Sequence, residues 1–455
     1  MTAYLNALGV ICALGRGQAQ VSRKLFAGDC SGMRAESGWV PERVVPVAAV
    51  HGELASLPPE LAQQSSRNNQ LLLEAALQIE DQIRQAIQTY GPGRVGVVLG
   101  TSTSGIDEAS RGIAHYLQNT QFPADYDYQQ QELSAPANFL ADWLDVSGPA
   151  YVISTACTSS ARALMSAQRL LDLGVCDAVI CGGVDSLCKL TLNGFTALEA
   201  VSAERCNPFS VNRNGINIGE AAVLFLMSRE PAPIALLGSG ASCDAHHISA
   251  PEPSGKGALL AMRKALASAK LSPEQIGYLN LHGTATQHND AMESLAVASL
   301  FPGGVACSST KPMTGHTLGA AGALEAAVCW LSLTHRLLPP HVWDGHPDPA
   351  LPALQWARRG HQAPAEHDPQ QGLAHAAALE HQVAGHFEDE VADEEDPRPQ
   401  AIHRIAERQG LLHLQLGVAD VHPVQKGHHV AQHQQRQQAP ADPGVQRVEL
   451  PGMLG

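Results

Sequence analysis

The sequence of 455 residues lacks the features that mark membrane, secreted and metal-cluster proteins. It has no uninterrupted run of about 18 apolar residues, so we expect no membrane span. No basic residue precedes Arg16, which argues against a secretory signal. The ten cysteines include no C-x-x-C pair, which argues against a disulfide framework or a zinc site. These absences together predict a cytoplasmic protein whose cysteines are free thiols.

The charge of the chain disfavours further classes of partner. The formal net charge is −15 at pH 7. Because a strongly acidic protein is repelled by polyanions, we expect no nonspecific binding to nucleic acid or to an anionic membrane surface. A local basic patch for an acidic protein partner remains compatible with this charge.

Up to about residue 360, apolar runs typical of strands alternate with long helical stretches rich in Ala and Leu. Gly93–Gly100 is typical of a turn followed by a buried strand, and so are Ala150–Ser154 and Val175–Cys181. Between the last two, Ser159–Leu173 has the length and composition of a buried helix, with Gly174 in the position of a C-cap glycine. This alternation predicts an α/β fold with a mainly parallel sheet.

A second Ala-rich helix, Ala320–Leu333, follows a Gly-rich turn in the later part of the chain. We therefore predict two pseudo-repeated halves, residues 1–235 and residues 236–360. The length of the chain agrees with this division, because it exceeds what one small core requires.

The composition changes after about residue 360. The segment 361–455 holds about half of the 21 histidines, no cysteine, and Phe387 as its only aromatic residue, and it is crowded with Gln. Such a stretch cannot bury enough apolar surface to offset chain entropy, so we predict a low-complexity, disordered tail. Its histidines lack the spacing of a defined metal site.

The strongest local motif is Ser154–Ser160, which reads Ser-Thr-Ala-Cys-Thr-Ser-Ser and carries Cys157. A buried strand ends there, small residues form a tight turn, and a long helix begins. Backbone N–H groups and the helix dipole favour the thiolate form of a cysteine in that position. The motif alone also fits a small core cysteine.

Two further motifs place a histidine on a glycine turn. Asn280–Thr286 carries His282, and Ser308–Glu325 carries Lys311 and His316 before a helix rich in Gly and Ala. A single histidine at a strand end is usually a hydrogen-bonded structural residue. Two such histidines with a cysteine at a helix N-terminus supply a nucleophile and two donors for a thioester oxygen that becomes an enolate.

These three motifs, in this order, resemble those of the β-ketoacyl-[acyl-carrier-protein] synthases of the elongating type, types I and II. Asp244–Pro253 is similar to the family's D-A-x-H-x-[ST]-A-P-x-P, and Asn207–Ala221 is similar to its P-F-D-x-x-R-D-G-F-x-x-G-E-G. The resemblance runs from about residue 3 to residue 350. It implies a thiolase-like α/β fold in which two similar halves form a layered αβαβα arrangement.

The resemblance also implies a reaction, the decarboxylative Claisen condensation of fatty-acid, polyketide or polyene synthesis. Cys157 would take an acyl group from a phosphopantetheine thioester. His282 and His316 would hold the carbonyl of malonyl-acyl-carrier protein and stabilise the enolate formed as carbon dioxide leaves. Attack of that carbanion on acyl-Cys157 gives 3-oxoacyl-carrier protein. No metal and no cofactor is implied beyond the phosphopantetheine of the carrier protein.

Four further residues match positions with supporting roles in the family. Lys311 matches a lysine that orients the histidine region, and Glu325 matches an acidic residue on the following helix. Thr284 and Thr286 match positions that hydrogen-bond the pantetheine arm. A purely structural ion pair is the alternative for Lys311 and Glu325, and turn capping is the alternative for the two threonines.

The main departure from the family lies near the end of the chain. The family closes with strands around a Ser-Phe-Gly-Phe-Gly-Gly-x-Asn loop that supplies an oxyanion-hole N–H, and no such loop follows Arg359. The amino-acid composition of the tail resembles that produced when GC-rich coding DNA is translated in a wrong frame, so we hypothesise a frameshift near residue 360. Translating the coding DNA in its other forward frames checks this hypothesis.

The resemblance implies acyl-carrier protein as a substrate partner and a homodimer as the assembly. One alternative is an inactive or crippled subunit in a role like that of a chain-length factor, held in a heterodimer with an intact synthase. Cys157 argues against that alternative, because chain-length factors lack the nucleophile. Another alternative is a loading or editing acyltransferase that uses Cys157 but condenses poorly.

Overall fold

The computed structural model describes residues 2–247 and 250–363. The strands within these residues are β1 (Ala3–Cys12), β2 (Gly15–Arg16), β3 (Met33–Val40), β4 (Arg43–Ala48), β5 (Val95–Gly100), β6 (Ala150–Ile153), β7 (Ala178–Asp185), β8 (Ala221–Ser228), β9 (Ala235–Leu236), β10 (Leu279–Asn280), β11 (Ala306–Ser308) and β12 (Gln355–Trp356). The helices are α1 (Gly17–Ala27), α2 (Arg67–Leu77), α3 (Glu80–Tyr90), α4 (Ile106–Asn119), α5 (Ala135–Leu144), α6 (Ser159–Asp172), α7 (Lys189–Ala197), α8 (Lys256–Ala269), α9 (Gln287–Leu300), α10 (Lys311–Thr314) and α11 (Ala321–His335).

The first sheet contains seven strands in the order β2-β1-β8-β7-β5-β6, with β9 paired to the start of β1. β5 is parallel to β6 and β7, whereas β8 is antiparallel to β7 and β1. β1, β5, β6 and β7 therefore run in one direction, as the alternation of strands and helices predicts. All residues of β7 and β8 are buried, because helices cover both faces of the sheet, and both strands are accordingly apolar up to their last residues, Asp185 and Ser228.

The second sheet is smaller. Among the described residues it consists of β10, β11 and β12, all parallel, with β11 in the centre. β3 and β4 form a separate antiparallel hairpin.

The helices and the two sheets form layers. Helices α2, α3 and α5 pack on one face of the first sheet, and α6 and α11 pack on its other face. Helix α11 also contacts β10, and α8 and α9 pack against the far side of the second sheet. The pair α6 and α11 thus lies in the middle of a helix–sheet–helix–sheet–helix arrangement.

The same strand-to-helix connection occurs twice. β5 ends at Gly100, which begins the segment Gly-Thr-Ser-Thr103, and β10 is followed after two residues by Gly283-Thr-Ala-Thr286. Each strand has a parallel neighbour that leads into a central helix. β6 leads into α6, and β11 leads through a longer loop into α11. A hydrogen bond of 2.8 Å from the backbone N–H of Ala323 to Ser160 Oγ joins the two helices.

The repetition is incomplete in the second half. Residues 2–247 and 250–363 contain no second-half counterpart of β7 and β8, so in that part of the chain β10 pairs on one side only. A narrow cleft lies where β9, α6 and α11 meet, and it is lined mainly by apolar side chains such as Leu236 and Trp330, together with Arg162.

The predicted tail lies almost wholly outside the described residues, which end at residue 363. His361 and Ala363, at its start, form backbone hydrogen bonds with Leu338 and Arg336 respectively. No helix in the described part of the chain is long and apolar enough to cross a membrane.

Candidate active site

Cys157 lies in the turn between β6 and α6, two residues before the helix begins. Ala156 has a left-handed backbone with φ of 54°, which turns the chain sharply between strand and helix. The hydroxyl of Ser159 donates to the Ala156 carbonyl at 2.5 Å and accepts from the Thr155 N–H at 2.9 Å, which closes the turn. The half-buried thiol therefore lies next to the positive end of the α6 dipole, as the sequence predicts.

Glycines at the ends of two neighbouring strands let α6 come this close to the sheet. A Cβ atom at Gly100 would lie 2.2 Å from the backbone N of Ser160, and one at Gly183 would lie 2.5 Å from Ser160 Cβ. Any side chain at either position would push the N-terminus of α6, and with it Cys157, away from the sheet.

His282 follows β10 and His316 precedes α11, so both come from the second half. The backbone N–H of His316 donates to the Asn217 carbonyl at 2.7 Å, and the His316 carbonyl accepts from the Gly219 N–H at 2.9 Å. The His282 N–H donates to Glu293 Oε1 at 2.7 Å. Both histidine loops are therefore fixed through their backbones, which leaves the rings available for chemistry.

The structure brings the three predicted residues together. Cys157 Sγ lies 2.9 Å from His316 Nε2, and the rings of His282 and His316 meet edge to face with centroids 5.1 Å apart. The Sγ atom and one ring nitrogen from each histidine all lie within 4.8 Å of one another. Cys157 is thus contributed by the first half of the fold and both imidazoles by the second.

Lys311 and Glu325 form a buried pair behind His282. Lys311 Nζ donates to Glu325 Oε1 at 2.5 Å and to the His282 carbonyl at 2.8 Å. Glu325 Oε1 lies 3.5 Å from His282 Nδ1. The pair contacts both the backbone and the ring of His282. The same contacts therefore fit a structural ion pair and the predicted role of orienting His282.

The site favours neutral imidazoles. Burial lowers the pKa of His282, and the Lys311 ammonium lowers it further, against the opposing effect of Glu325. The pKa of His316 is held well below its ordinary value by burial, His282 and Lys311. Burial raises the pKa of Glu325, but Lys311 and His282 outweigh it and the net pKa is lowered, so this carboxylate stays charged.

Thr284 and Thr286 lie on the turn after His282, with their hydroxyl oxygens 3.0 Å apart. Thr284 is buried, and Thr286 occupies the N-cap position of α9 without a side-chain capping bond. Turn capping by the Thr286 hydroxyl is therefore not observed. Contact of both residues with a pantetheine arm stays a prediction.

The sequence reasoning missed two buried carboxylates that support the His282 loop. Glu293 accepts from the N–H groups of His282 and Gly283, and burial raises its pKa to about 7. Asp290 accepts from the N–H groups of Ala285 and Phe209, and burial raises its pKa to about 6. Their spacing of three residues on α9, directly after the His282 turn, was the available signal.

The donor set of the site could also hold a soft divalent cation. One thiolate and two imidazoles within 4.8 Å of one another are ligands that Zn²⁺ accepts. The same three groups are those required for condensation, so a bound metal would compete with acyl transfer. The absence of a resident metal stays a prediction.

Comparison with known proteins identifies the family. A model described as the β-ketoacyl synthase N-terminal domain matches residues 37–232, and one for the C-terminal domain matches residues 234–343. A 3-oxoacyl-[acyl-carrier-protein] synthase 2 of Vibrio harveyi is 31% identical over 61% of this chain and 72% of its own length. A mitochondrial 3-oxoacyl-[acyl-carrier-protein] synthase of Arabidopsis thaliana is 38% identical over 44% of this chain and 48% of its own length. The chain spans about half the length of the first curated relatives that it matches.

Solved structures agree with this assignment. A ketosynthase of Xenorhabdus doucetiae, determined in complex with its chain length factor, is 46% identical and has a TM-score of 0.77 over 80% of this chain and 92% of that chain. A β-ketoacyl synthase of Burkholderia phymatum is 25% identical, with a TM-score of 0.72 over 80% of this chain and 93% of that chain. These similarities confirm the predicted thiolase-like α/β fold. The chain belongs to the β-ketoacyl synthase family.

Proposed function

We propose that this chain condenses an acyl group held on Cys157 with malonyl-acyl-carrier protein to give 3-oxoacyl-carrier protein. The observation that carries the proposal is the meeting of Cys157 Sγ with His316 Nε2 at 2.9 Å, beside the edge-to-face ring of His282. A nucleophile and two imidazoles on one point are the groups that acyl transfer and enolate stabilisation need.

The first step is transfer of the acyl group. The Cys157 thiolate attacks the thioester carbonyl of acyl-carrier protein, and the resulting tetrahedral intermediate expels the pantetheine thiolate, which takes up the proton that Cys157 released. His316 is positioned to accept or return that proton, because burial, His282 and the Lys311 ammonium keep its ring neutral.

The second step is condensation. As the C–C bond to the malonyl carboxylate breaks and carbon dioxide leaves, the electron pair forms an enolate on the thioester of the carrier protein. An N–H from each imidazole stabilises the enolate oxygen. The enolate carbon then attacks the acyl-Cys157 carbonyl, and collapse of that intermediate releases the Cys157 thiolate and 3-oxoacyl-carrier protein. Lys311 and Glu325 hold His282 throughout.

The partners that this function needs are an acyl-carrier protein and a second synthase subunit, identical or related. Three solved relatives support this proposal: two are described as a ketosynthase with a chain length factor, and one as a ketosynthase with an acyl-carrier protein.

A crippled partner subunit is the second candidate. It is favoured by the incomplete second half, because no counterpart of β7 and β8 is found there in the described residues. The sequence after Arg359 also lacks the family's closing loop, which supplies an oxyanion-hole N–H. Loss of one such donor typically lowers the rate by roughly 10²–10³-fold. Such a subunit would contribute an interface to an intact synthase rather than condense acyl groups itself.

The deciding experiment is the intact mass of the protein after incubation with acyl-carrier protein, beside Cys157→Ala. A gain of one acyl group that the variant lacks, followed by 3-oxoacyl product on addition of malonyl-carrier protein, supports condensation. Acylation without product supports the loading or editing acyltransferase. No acylation of a folded sample supports the partner subunit.

A further inference from the structure

The carboxylate of Asp185 gathers donors from two loops of the site. It lies at the end of β7, fully buried. Its Oδ1 accepts from Thr101 Oγ1 at 2.6 Å, from the Ser102 and Thr103 N–H groups at 2.8 and 2.9 Å, and from Thr103 Oγ1 at 2.8 Å. Its Oδ2 accepts from the Gly319 N–H at 2.5 Å. Five donors on one buried carboxylate offset part of the cost of its desolvation, although burial still raises the pKa of Asp185, and the bonds fix the loops that supply them.

The bond to Gly319 reaches the His316 loop. Gly319 lies three residues after His316, in the turn where Leu318 adopts a left-handed φ of 50° and leads into α11. A Cβ atom at Gly319 would lie 2.8 Å from Asp185 Oδ2 and 2.8 Å from the Ser102 N atom. The start of α11 is therefore pressed directly against the Asp185 carboxylate.

The same carboxylate also contacts the Cys157 side of the site. Ser102, whose N–H binds Asp185, donates through its hydroxyl to the Ala156 carbonyl at 3.4 Å. Ala156 is the left-handed residue immediately before Cys157. Asp185 is thus connected to the turns that carry Cys157 and His316, although it touches neither side chain.

We infer that Asp185 is a positioning residue that sets the separation of Cys157 and His316 by anchoring the start of α11 to the first sheet. Its effect on condensation rests on the proposed function. An Asn side chain at position 185 has nearly the same shape but only one acceptor oxygen. If that oxygen faces the four donors of Thr101–Thr103, the amide NH₂ meets the Gly319 N–H, donor against donor, and the α11 anchor is lost.

The test compares Asp185→Asn with Gly319→Ala, which displaces the same anchor from the other side. Thr103→Val is the control, because it removes one donor of Asp185 and keeps the bond to Gly319. The first readout is the pH profile of Cys157 alkylation by iodoacetamide, with His316→Ala as the reference. We expect the profiles of Asp185→Asn and Gly319→Ala to shift toward that of His316→Ala, and the profile of Thr103→Val to stay near wild type.

The second readout compares how far each variant lowers the rate of condensation with how far it lowers the rate of Cys157 acylation. A displacement of about 1 Å lowers a rate by up to roughly 10²-fold, so we expect condensation to fall about 10- to 100-fold more than acylation. Unchanged alkylation profiles in both variants, or equal losses of both rates, overturn the inference. If Asp185→Asn does not fold, Gly319→Ala decides alone. If the wild-type protein forms no 3-oxoacyl-carrier protein, the proposed function is wrong. A shifted profile of Cys157 alkylation in the variants would still support the positioning role of Asp185.

Discussion

The two halves of the molecule hold their functional loops in different ways. Cys157, in the first half, is fixed by backbone geometry: a left-handed Ala156 and the close approach of α6 to glycines at the ends of a complete sheet. The second half has a three-stranded sheet in the described residues, and buried charges hold its His282 loop: Glu293 binds the N–H groups of His282 and Gly283, and Lys311 binds the His282 carbonyl. A strand-to-helix turn closed by its own Ser159 hydroxyl therefore places the nucleophile, whereas the His282 loop depends on buried charged side chains.

The largest expected effect is on the rate of condensation, when the nucleophile of the first half or a histidine of the second half is removed. Cys157→Ala removes acylation and condensation together. His316→Ala keeps the nucleophile and the α6 dipole that favours its thiolate, so we expect acylation of Cys157 to slow but to persist, while condensation falls by about 10²–10⁴-fold. Intact mass and product formation from malonyl-carrier protein measure the two activities. Equal loss of both in a folded His316→Ala protein would show that the halves do not divide the reaction in this way.

The buried ion pair of the second half gives the next largest effect. Lys311→Met leaves the Glu325 carboxylate buried without its ammonium partner, so we expect the free energy of unfolding to fall by about 3–5 kcal/mol. The double variant Lys311→Met/Glu325→Leu recovers part of that loss, since no charge stays buried. Arg84→Ala in the first half is the control, because its exposed pair with Glu80 contributes about 0.5 kcal/mol or less and its cation–π contact over Trp143 contributes about 0.5–1 kcal/mol. Urea denaturation measures all three, and a single Lys311→Met as mild as Arg84→Ala contradicts the comparison.

Hydrogen exchange tests the difference between the sheets directly. β7 and β8 are paired on both sides and fully buried, whereas β10 is paired on one side in the described residues. We expect the backbone amides of Leu279–Leu281 to exchange roughly 10²-fold faster or more than those of β7 and β8, because local opening there breaks fewer bonds. Exchange followed by mass spectrometry measures the rates. Equal protection would mean that the edge of β10 is covered.

The smallest expected effect concerns acid. The buried histidines of the described residues, His316 and His341, both lie in the second half. Burial lowers the pKa of His341 to about 3, so below about pH 6.5 the unfolded chain binds a proton that the folded chain refuses, and stability is lost as pH falls. At pH 5 this costs about 2 kcal/mol.

The protonation of His341 is separated from that of other groups by a difference measurement. Glu293 and Asp290 have raised pKa values and act in the opposite direction, since the folded chain binds their protons more readily. We therefore compare the change in unfolding free energy between pH 7 and pH 5 for wild type and His341→Gln. The wild type should lose about 2 kcal/mol more than the variant. An equal change would show that His341 does not contribute.

Much of the fold was predictable from local patterns. The strand at Val95–Gly100 and the helices α6 and α11 lie where the apolar runs and Ala-rich stretches place them, and Gly174 adopts the expected left-handed φ of 67° after α6. These elements depend on interactions between residues close together in sequence, so the pattern of apolar and small residues predicts them. The antiparallel insertion of β8 between β1 and β7 depends on contacts distant in sequence, and no local signal specified it.

The site residues also divide into those that a sequence motif predicted and those that only the structure revealed. Cys157, His282 and His316 were found because each lies in a recognisable motif, and their convergence followed from the family resemblance. Asp185 was not found, because a lone acid at the end of an apolar strand gives no hint of the five donors that meet it. The packing of Phe209 and Trp356 on His341 also joins residues too far apart in sequence for any motif.

The shared helix pair α6 and α11 has a consequence for synthesis of the protein on the ribosome. One apolar core joins Leu164 and Phe225 of the first half to Leu324 and Leu331 of α11, so when β8 is complete that face of the first sheet is covered only in part, and the area that α11 covers is still bare. Roughly a hundred further residues must be translated before α11 exists, which at about 5–20 residues per second leaves the surface exposed for roughly 5–20 s. A nascent chain of this length is therefore expected to engage chaperones before its own second half arrives.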